Sequence, residues 1–348
     1  MTPTPMDASE REQLRRLPKA ELHLHLEGSL RPATLWALAQ RHGLPFGLAD
    51  LAACQRLYQF SDFTGFIQAI KTASQLLQDP SDYAAAVTDL AGQLRSQGVV
   101  YSEVFLSVGI LLWRQVPIPP YWEAIEAARL AAEAATGVRL RWIFDAVRQF
   151  GAEPFEQVVT WADKLQSSGS VLAIGIGGDE RQRSTAEFAP GYARARAAGL
   201  RTTIHAGETC GPQSIWDALT LLQPDRIGHG LRAFEDPALV EVLAQRQVAL
   251  DICPTSNLKI GVWPPGRRHP ALDYYNRGVK LSISTDDPGI FECSLLDEYA
   301  YLRDQGGFSP EALRRLVQNS FECSLLSPPE RRAMAGLPSA AAPNAGGD

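Results

Sequence analysis

Eight short runs rich in branched and aromatic residues recur along the 348-residue chain, with amphipathic, alanine-rich stretches between them. The runs are Ala20–Leu26, Val99–Val108, Val138–Val147, Val171–Ile176, Arg201–His205, Arg226–His229, Val248–Cys253 and Val279–Thr285. Asp82–Arg95, Tyr121–Ala135, Phe155–Gln166, Pro190–Ala198, Pro237–Arg246 and Leu295–Arg303 carry the spacing of amphipathic helices. Gly98, Gly137, Gly169, Gly199 and Gly278 stand where a helix should stop before the next strand. Strand and helix alternating eight times predict an α/β fold, a (β/α)8 TIM barrel. An open doubly wound sheet is the alternative, but no glycine-rich phosphate loop follows the first strand. Leu44–Pro80 is too long for one crossover helix, and Phe60–Leu77 reads as an extra helix pair after strand one. Barrel active sites lie at the C-terminal ends of the strands, so this insertion should roof the site. Residues 1–334 read as one barrel domain, and the small, polar, proline-bearing tail 335–348 is expected to be disordered.

Composition narrows the function. A net charge of −6 without a strongly basic stretch argues against a nucleic-acid partner. No apolar run approaches the roughly 20 residues that span a bilayer, and the polar N-terminus lacks a signal core. Five scattered cysteines without a CxxC pair fit a reducing compartment, so the expected location is cytoplasmic. Oligomeric state is not legible from the sequence.

Four of the six histidines fall at predicted strand ends: His23 and His25 in strand one, His205 in "TIHAGE", and His229 in "RIGHG". His42 and His269 lie elsewhere, in a helix end and a loop. Alternation along a strand points His23 and His25 the same way, and "STDDPG" puts Asp286 and Asp287 at the end of strand eight. Singly, each feature has a plain reading, as a core histidine, a turn or a cap. Jointly, on one rim of a barrel, they form a metal site. Neutral imidazole and carboxylate suit zinc, and a catalytic zinc keeps an open position for water. His23, His25, His205 and Asp286 are the expected ligands of one zinc per chain. Glu208, one helical turn past His205, is the expected acid/base.

"PKAELHLHLEGSL", "GGDE", "HAGE", "RIGHGL", "PTSN" and "STDDP" resemble, in order from Pro18 to Asn319, the signatures of the adenosine deaminase family of the amidohydrolase superfamily. The resemblance implies hydrolytic deamination at purine C6. Glu208 would protonate N1, His229 would orient the hydroxide, Asp287 would meet N7 and the backbone of Gly178 would meet N3. The strand-four end "VLAIGIGGDE" lacks the lysine that bridges two metals in other superfamily members, so one metal is expected. Cytidine-deaminase zinc spacing is absent.

For the substrate, "GGDE" resembles the nucleoside deaminases, whereas Glu27 replaces the aspartate of typical adenosine deaminases and also occurs in adenine deaminases. Ser102–Trp113 and Arg141–Gly151 look most like the bacterial branch that includes aminodeoxyfutalosine deaminases of menaquinone biosynthesis. That substrate carries a benzoate in place of the 5′ hydroxyl. Leu111, Leu112 and Trp113 would supply an apolar slot and Arg148 a cation. Arg148 has a second reading, as a partner of Asp145 or Glu180, and Trp113 as lid packing. Adenosine, adenine and a catalytically silent purine-binding protein are the alternatives.

Overall fold

The structure, a computed structural model, describes residues 5–336. Eight parallel strands run in sequence order around a barrel: β1 Lys19–His25, β2 Val99–Leu106, β3 Arg139–Val147, β4 Val171–Gly177, β5 Arg201–Ala206, β6 Arg226–His229, β7 Ala249–Ile252 and β8 Leu281–Ile283. Every expected strand is present, and β8 is shorter than its apolar run. Beyond β8 the chain turns at Asp286, whose N–H donates to His23 O at 3.0 Å and whose carbonyl accepts from His25 N at 2.8 Å. The barrel therefore closes between β8 and β1 at the residues expected to bind metal.

Apolar strands surrounded by helices on the outside and filled within read as near-continuous hydrophobic runs. The covering helices show one apolar stripe each. In Ala152–Leu165, Phe155, Val158, Val159 and Ala162 are the buried positions, three to four apart. The five expected helix-stop glycines all adopt left-handed backbone, with φ between +74° and +86°. Phe105, Ile143, Ala173 and Leu325 pack inside the barrel. The chain after the helix Pro310–Cys323 closes the N-terminal end, where Leu325 N donates to Glu103 at 2.6 Å.

The long first crossover contains the helices Leu51–Leu57 and Phe63–Leu76, started by Asp50 and Asp62, whose carboxylates accept from Ala53 N and Gly65 N, so Phe60–Leu77 holds one helix and its companion lies upstream of it. Phe66 stacks on Phe291 beyond β8, with centroids 5.3 Å apart, and the Arg181 guanidinium beyond β4 lies over the Phe63 ring. The insertion thus spans the C-terminal rim as a roof. Among the described residues, no helix is long and apolar enough to cross a membrane. All five cysteines are free. Residues 337–348, most of the expected disordered tail, lie outside the described residues.

Candidate active site

His23 and His25 point to one side of β1 and meet His205 from β5. His23 Nε2 lies 3.0 Å and His25 Nε2 3.2 Å from His205 Nε2. Asp286 Oδ1 completes the group, 3.3 Å from His23 Nε2 and 3.4 Å from His25 Nε2. All four donor atoms lie within 4.8 Å of one another. The cluster fits a cation rather than a hydrogen-bond network. His205 Nδ1 is 2.9 Å from Ile176 O, which can only accept, so the ring proton sits on Nδ1 and Nε2 presents a lone pair. His23 Nδ1 faces the Asp251 carboxylate at 3.4 Å, which favours the same tautomer. Two ligands each about 2.0–2.1 Å from one tetrahedral ion stand about 3.3–3.4 Å apart, close to the spacings seen here. Burial, then His23 and His25, push His205 well below the usual imidazole range. For His23 burial is outweighed by Asp251 and Asp286, which raise it to about 9. Phe105 floors the site, its ring centroid 4.7 Å from His23 and 4.8 Å from His25.

Two of these positions carry backbone strain. His229 (φ +63°) and Asp286 (φ +67°) are left-handed without being glycine. Such conformations cost about 1–3 kcal/mol each and persist where surrounding structure imposes them. At Asp286 the β8–β1 hydrogen bonds do so, aiming its carboxylate at the imidazoles while Ser256 Oγ donates to the other oxygen at 2.7 Å.

Glu208 does not follow His205 by a helical turn. Residues 207–210 form a bend, and the next helix begins at Pro212. Glu180, the last residue of "GGDE", holds the bend. Its carboxylate accepts from the backbone N–H of Gly207 (2.8 Å), Glu208 (2.7 Å) and Thr209 (3.0 Å), and from Ser214 Oγ (2.7 Å). The Glu208 side chain reaches back over the cluster, 3.4 Å from His229 Nδ1 and 3.4 Å from Asn257 Nδ2. Burial first, then Asp286 and Glu180, raise its carboxyl well above the ordinary range. Burial holds His229 down to about 3, hence neutral, and its Nε2 has no partner. Asp287 is 2% exposed, and burial and the adjacent Asp286 raise its carboxyl well above the usual range. A methyl group on Gly28 would lie 1.7 Å from Asp287 Oδ1, which is why the β1 turn needs glycine there. Gly178 follows β4 with φ +97°, next to the Gln149 carboxamide. Glu27 is buried, its Oε1 accepting from Ser107 N at 3.1 Å.

Arg148 departs from expectation. It does not stand on the rim toward the ligand cluster. Val147 ends β3 facing inward, so Arg148 turns to the outer layer, where it is 2% exposed, lies over Phe188 and donates to His205 O at 3.2 Å. Neither Asp145 nor Glu180 forms an ion pair with it among the described residues. Arg148 thus steadies the strand that carries His205. Trp113 is 61% exposed and stacks on Phe150, centroids 5.7 Å apart and planes 12° from parallel, while Leu111 is buried.

Sequence reasoning missed a supporting layer. Arg226, fully buried inside the barrel, donates to Asp251 (2.6 Å), Glu103 (2.5 Å) and Leu22 O (2.7 Å), and so fixes the carboxylate that faces His23. His269, assigned to a loop away from the site, is buried with Nε2 3.3 Å from Asn257 Oδ1, and steadies the amide beside Glu208. A charged residue inside an apolar strand was the available signal for Arg226. Nothing local marked His269.

Comparison with known proteins follows the same lines. The sequence profile described as adenosine deaminase matches residues 18–337. An aminodeoxyfutalosine deaminase of Streptomyces avermitilis is 37% identical over 89% of this chain and 87% of its own. An adenine deaminase of Agrobacterium fabrum is 35% identical over 91% and 96%. Among solved structures, an adenine deaminase from Arthrobacter aurescens superposes with a TM-score of 0.85 at 28% identity, covering 92% of this chain and 97% of that one. A zinc-bound amidohydrolase from Burkholderia ambifaria gives 0.88 at 26% identity, covering 96% and 94%.

Proposed function

Because the chain belongs to the adenosine deaminase family of metal-dependent deaminases, we propose that it removes the 6-amino group of an adenosine-type nucleoside with one zinc ion, and that aminodeoxyfutalosine is its principal substrate. His23, His25, His205 and Asp286 would hold the ion, which when bound supplies Lewis-acid activation of water near neutral pH. The remaining work falls to side chains whose protonation suits a purine. N1, N3 and N7 are acceptors, and each would meet a donor: the Glu208 carboxyl at N1, the backbone N–H of Gly178 at N3 and the Asp287 carboxyl at N7, both carboxyls being raised by burial. Proton transfer from Glu208 to N1 relieves the loss of aromaticity as water adds at C6. Neutral His229, its Nε2 unpartnered, orients that water. Ammonia leaves and a 6-oxopurine remains.

The observation that carries the deaminase reading is the buried Glu208 carboxyl, held by Glu180 beside a four-donor cluster. For the substrate, the relatives at 37% and 36% identity favour aminodeoxyfutalosine. The exposed Trp113, stacked on Phe150 after β3, suits an aromatic arm. Adenine is the second reading, supported by relatives at 35% and by Glu27. Side-by-side kcat/KM values on aminodeoxyfutalosine, adenosine and adenine, followed by ultraviolet absorbance, test the choice. A preference for adenine would overturn it.

A further inference from the structure

Behind Glu208 and His229 runs a buried polar chain whose hydrogens can be placed one by one. It starts at the backbone N–H of Ala271, which donates to His269 Nδ1 at 3.2 Å. A peptide N–H can only donate, so Nδ1 presents a lone pair. His269 is fully buried, and burial lowers it to about 3, so the ring is neutral. Its single proton therefore sits on Nε2, 3.3 Å from Asn257 Oδ1. Asn257 stands on the helix Pro254–Lys259, just past β7, and is buried too. Its carboxamide is thereby fixed in direction, with the oxygen toward His269 and the NH2 toward the site. Nδ2 lies 3.4 Å from Glu208 Oε1 and 3.5 Å from His229 Nδ1. One NH2 with two hydrogens thus meets two atoms that stand 3.4 Å from each other.

The consequence lies in where the protons are left. An amide NH2 only donates, so Glu208 Oε1 and His229 Nδ1 must both accept. The proton of neutral His229 is then on Nε2, the nitrogen without a partner inside the protein. A proton on Glu208 is then on Oε2. The reversed amide satisfies the same two groups equally well. Oδ1 would accept from a Glu208 Oε1–H and a His229 Nδ1–H, and both protons would be held by the amide instead of standing free for the reaction. The two arrangements differ only at His269, whose Nε2–H accepts no reversal because it would face a second donor. We propose that His269 is a positioning residue that, through Asn257, keeps the Glu208 proton on Oε2 and the His229 proton on Nε2. The inference rests on the deaminase reading, in which Glu208 is the acid.

Two substitutions separate the two ends of the imidazole. His269→Asn keeps an acceptor near the Nδ1 position, so it keeps the bond from Ala271 N and loses the donor to Asn257. His269→Gln keeps a donor near the Nε2 position and loses the acceptor for Ala271 N. Both are measured zinc-loaded, on whichever of aminodeoxyfutalosine, adenosine and adenine the wild type turns over fastest. In His269→Asn, kcat should fall about tenfold or more, the scale of one buried hydrogen bond, with KM and zinc content little changed. His269→Gln should keep kcat close to wild type although its Tm falls. A purely structural role predicts the reverse, with activity following Tm, and kcat higher in His269→Asn than in His269→Gln would overturn the proposal. Long-range proton–nitrogen NMR of histidine-labelled, zinc-loaded wild type decides the matter if the variants do not fold. Nε2–H tautomers at both His269 and His229 are expected, and a proton on Nδ1 of either ring overturns the ordering. Wild type without turnover on any of the three purines would instead overturn the deaminase reading, while the spectrum still judges the ordering by itself.

Discussion

Glu180→Gln probes how the site is held, because one carboxylate organises the bend that carries Glu208. Oε1 accepts from Glu208 N and Thr209 N, and Oε2 from Gly207 N and Ser214 Oγ. Glutamine keeps the shape but turns one oxygen into a donor. The least costly orientation puts the new NH2 toward Ser214, whose hydroxyl can turn and accept. Gly207 N–H then faces a donor and is orphaned, at about 1–3 kcal/mol. The two remaining bonds lose their charge assistance, about 1 kcal/mol each. The total is about 3–5 kcal/mol. With an unfolding entropy of about 2.1 cal/mol/K per residue, a chain of this length loses about 0.7 kcal/mol per degree, so Tm should fall by about 4–7 °C. Because that bend carries Glu208, the proposed acid, kcat should fall at least about tenfold, as geometry loosens. Calorimetry and steady-state kinetics on the zinc-loaded variant measure both. Wild-type Tm and kcat together would refute the claim that Glu180 clamps the bend.

Replacing His205 by Ala should remove metal and activity together, because two of the short ligand spacings run through its Nε2; full zinc content by elemental analysis would contradict the assignment. Glu298 is fully buried and raised by burial to about 8, although Thr255 N and Cys293 Sγ donate to it. The folded state thus holds its proton more tightly than the unfolded chain does. Its contribution to stability is complete below about pH 4.5 and is lost as pH rises to about 8. Glu298→Gln should flatten the fall of Tm between pH 5 and 8, and an unchanged slope would count against this.

The fold and the grouping of His23, His25, His205 and Asp286 were legible because both are written in local pattern. Eight apolar runs with glycine stops leave few topologies, and a histidine or aspartate at a strand end has a known direction once the strands are parallel. The rest depends on tertiary context. Arg148 follows a strand, but one residue of parity decides whether it faces the substrate or the outer helices, and its partner is the carbonyl of His205. His269 reaches Asn257 through a loop whose path no periodicity records. The bend at 207–210 replaces the expected helical turn because Glu180, distant in sequence, takes up its N–H groups. Asp145 looked like a possible partner for Arg148, but it is buried beside the bare glycines of β4 and forms no ion pair with that arginine among the described residues.

The central claim is that Glu208 delivers a proton beside a metal held by other residues, and Glu208→Gln tests it most directly. Glutamine preserves size and the contact with Asn257 but cannot give up a proton to N1. Zinc content and adenosine-type turnover should be measured on the same preparation. If Glu208 is the proton donor, zinc stays at the wild-type level while kcat falls about 10²–10⁴-fold, the usual scale for loss of a general acid. Near-normal turnover in the zinc-loaded variant would contradict it.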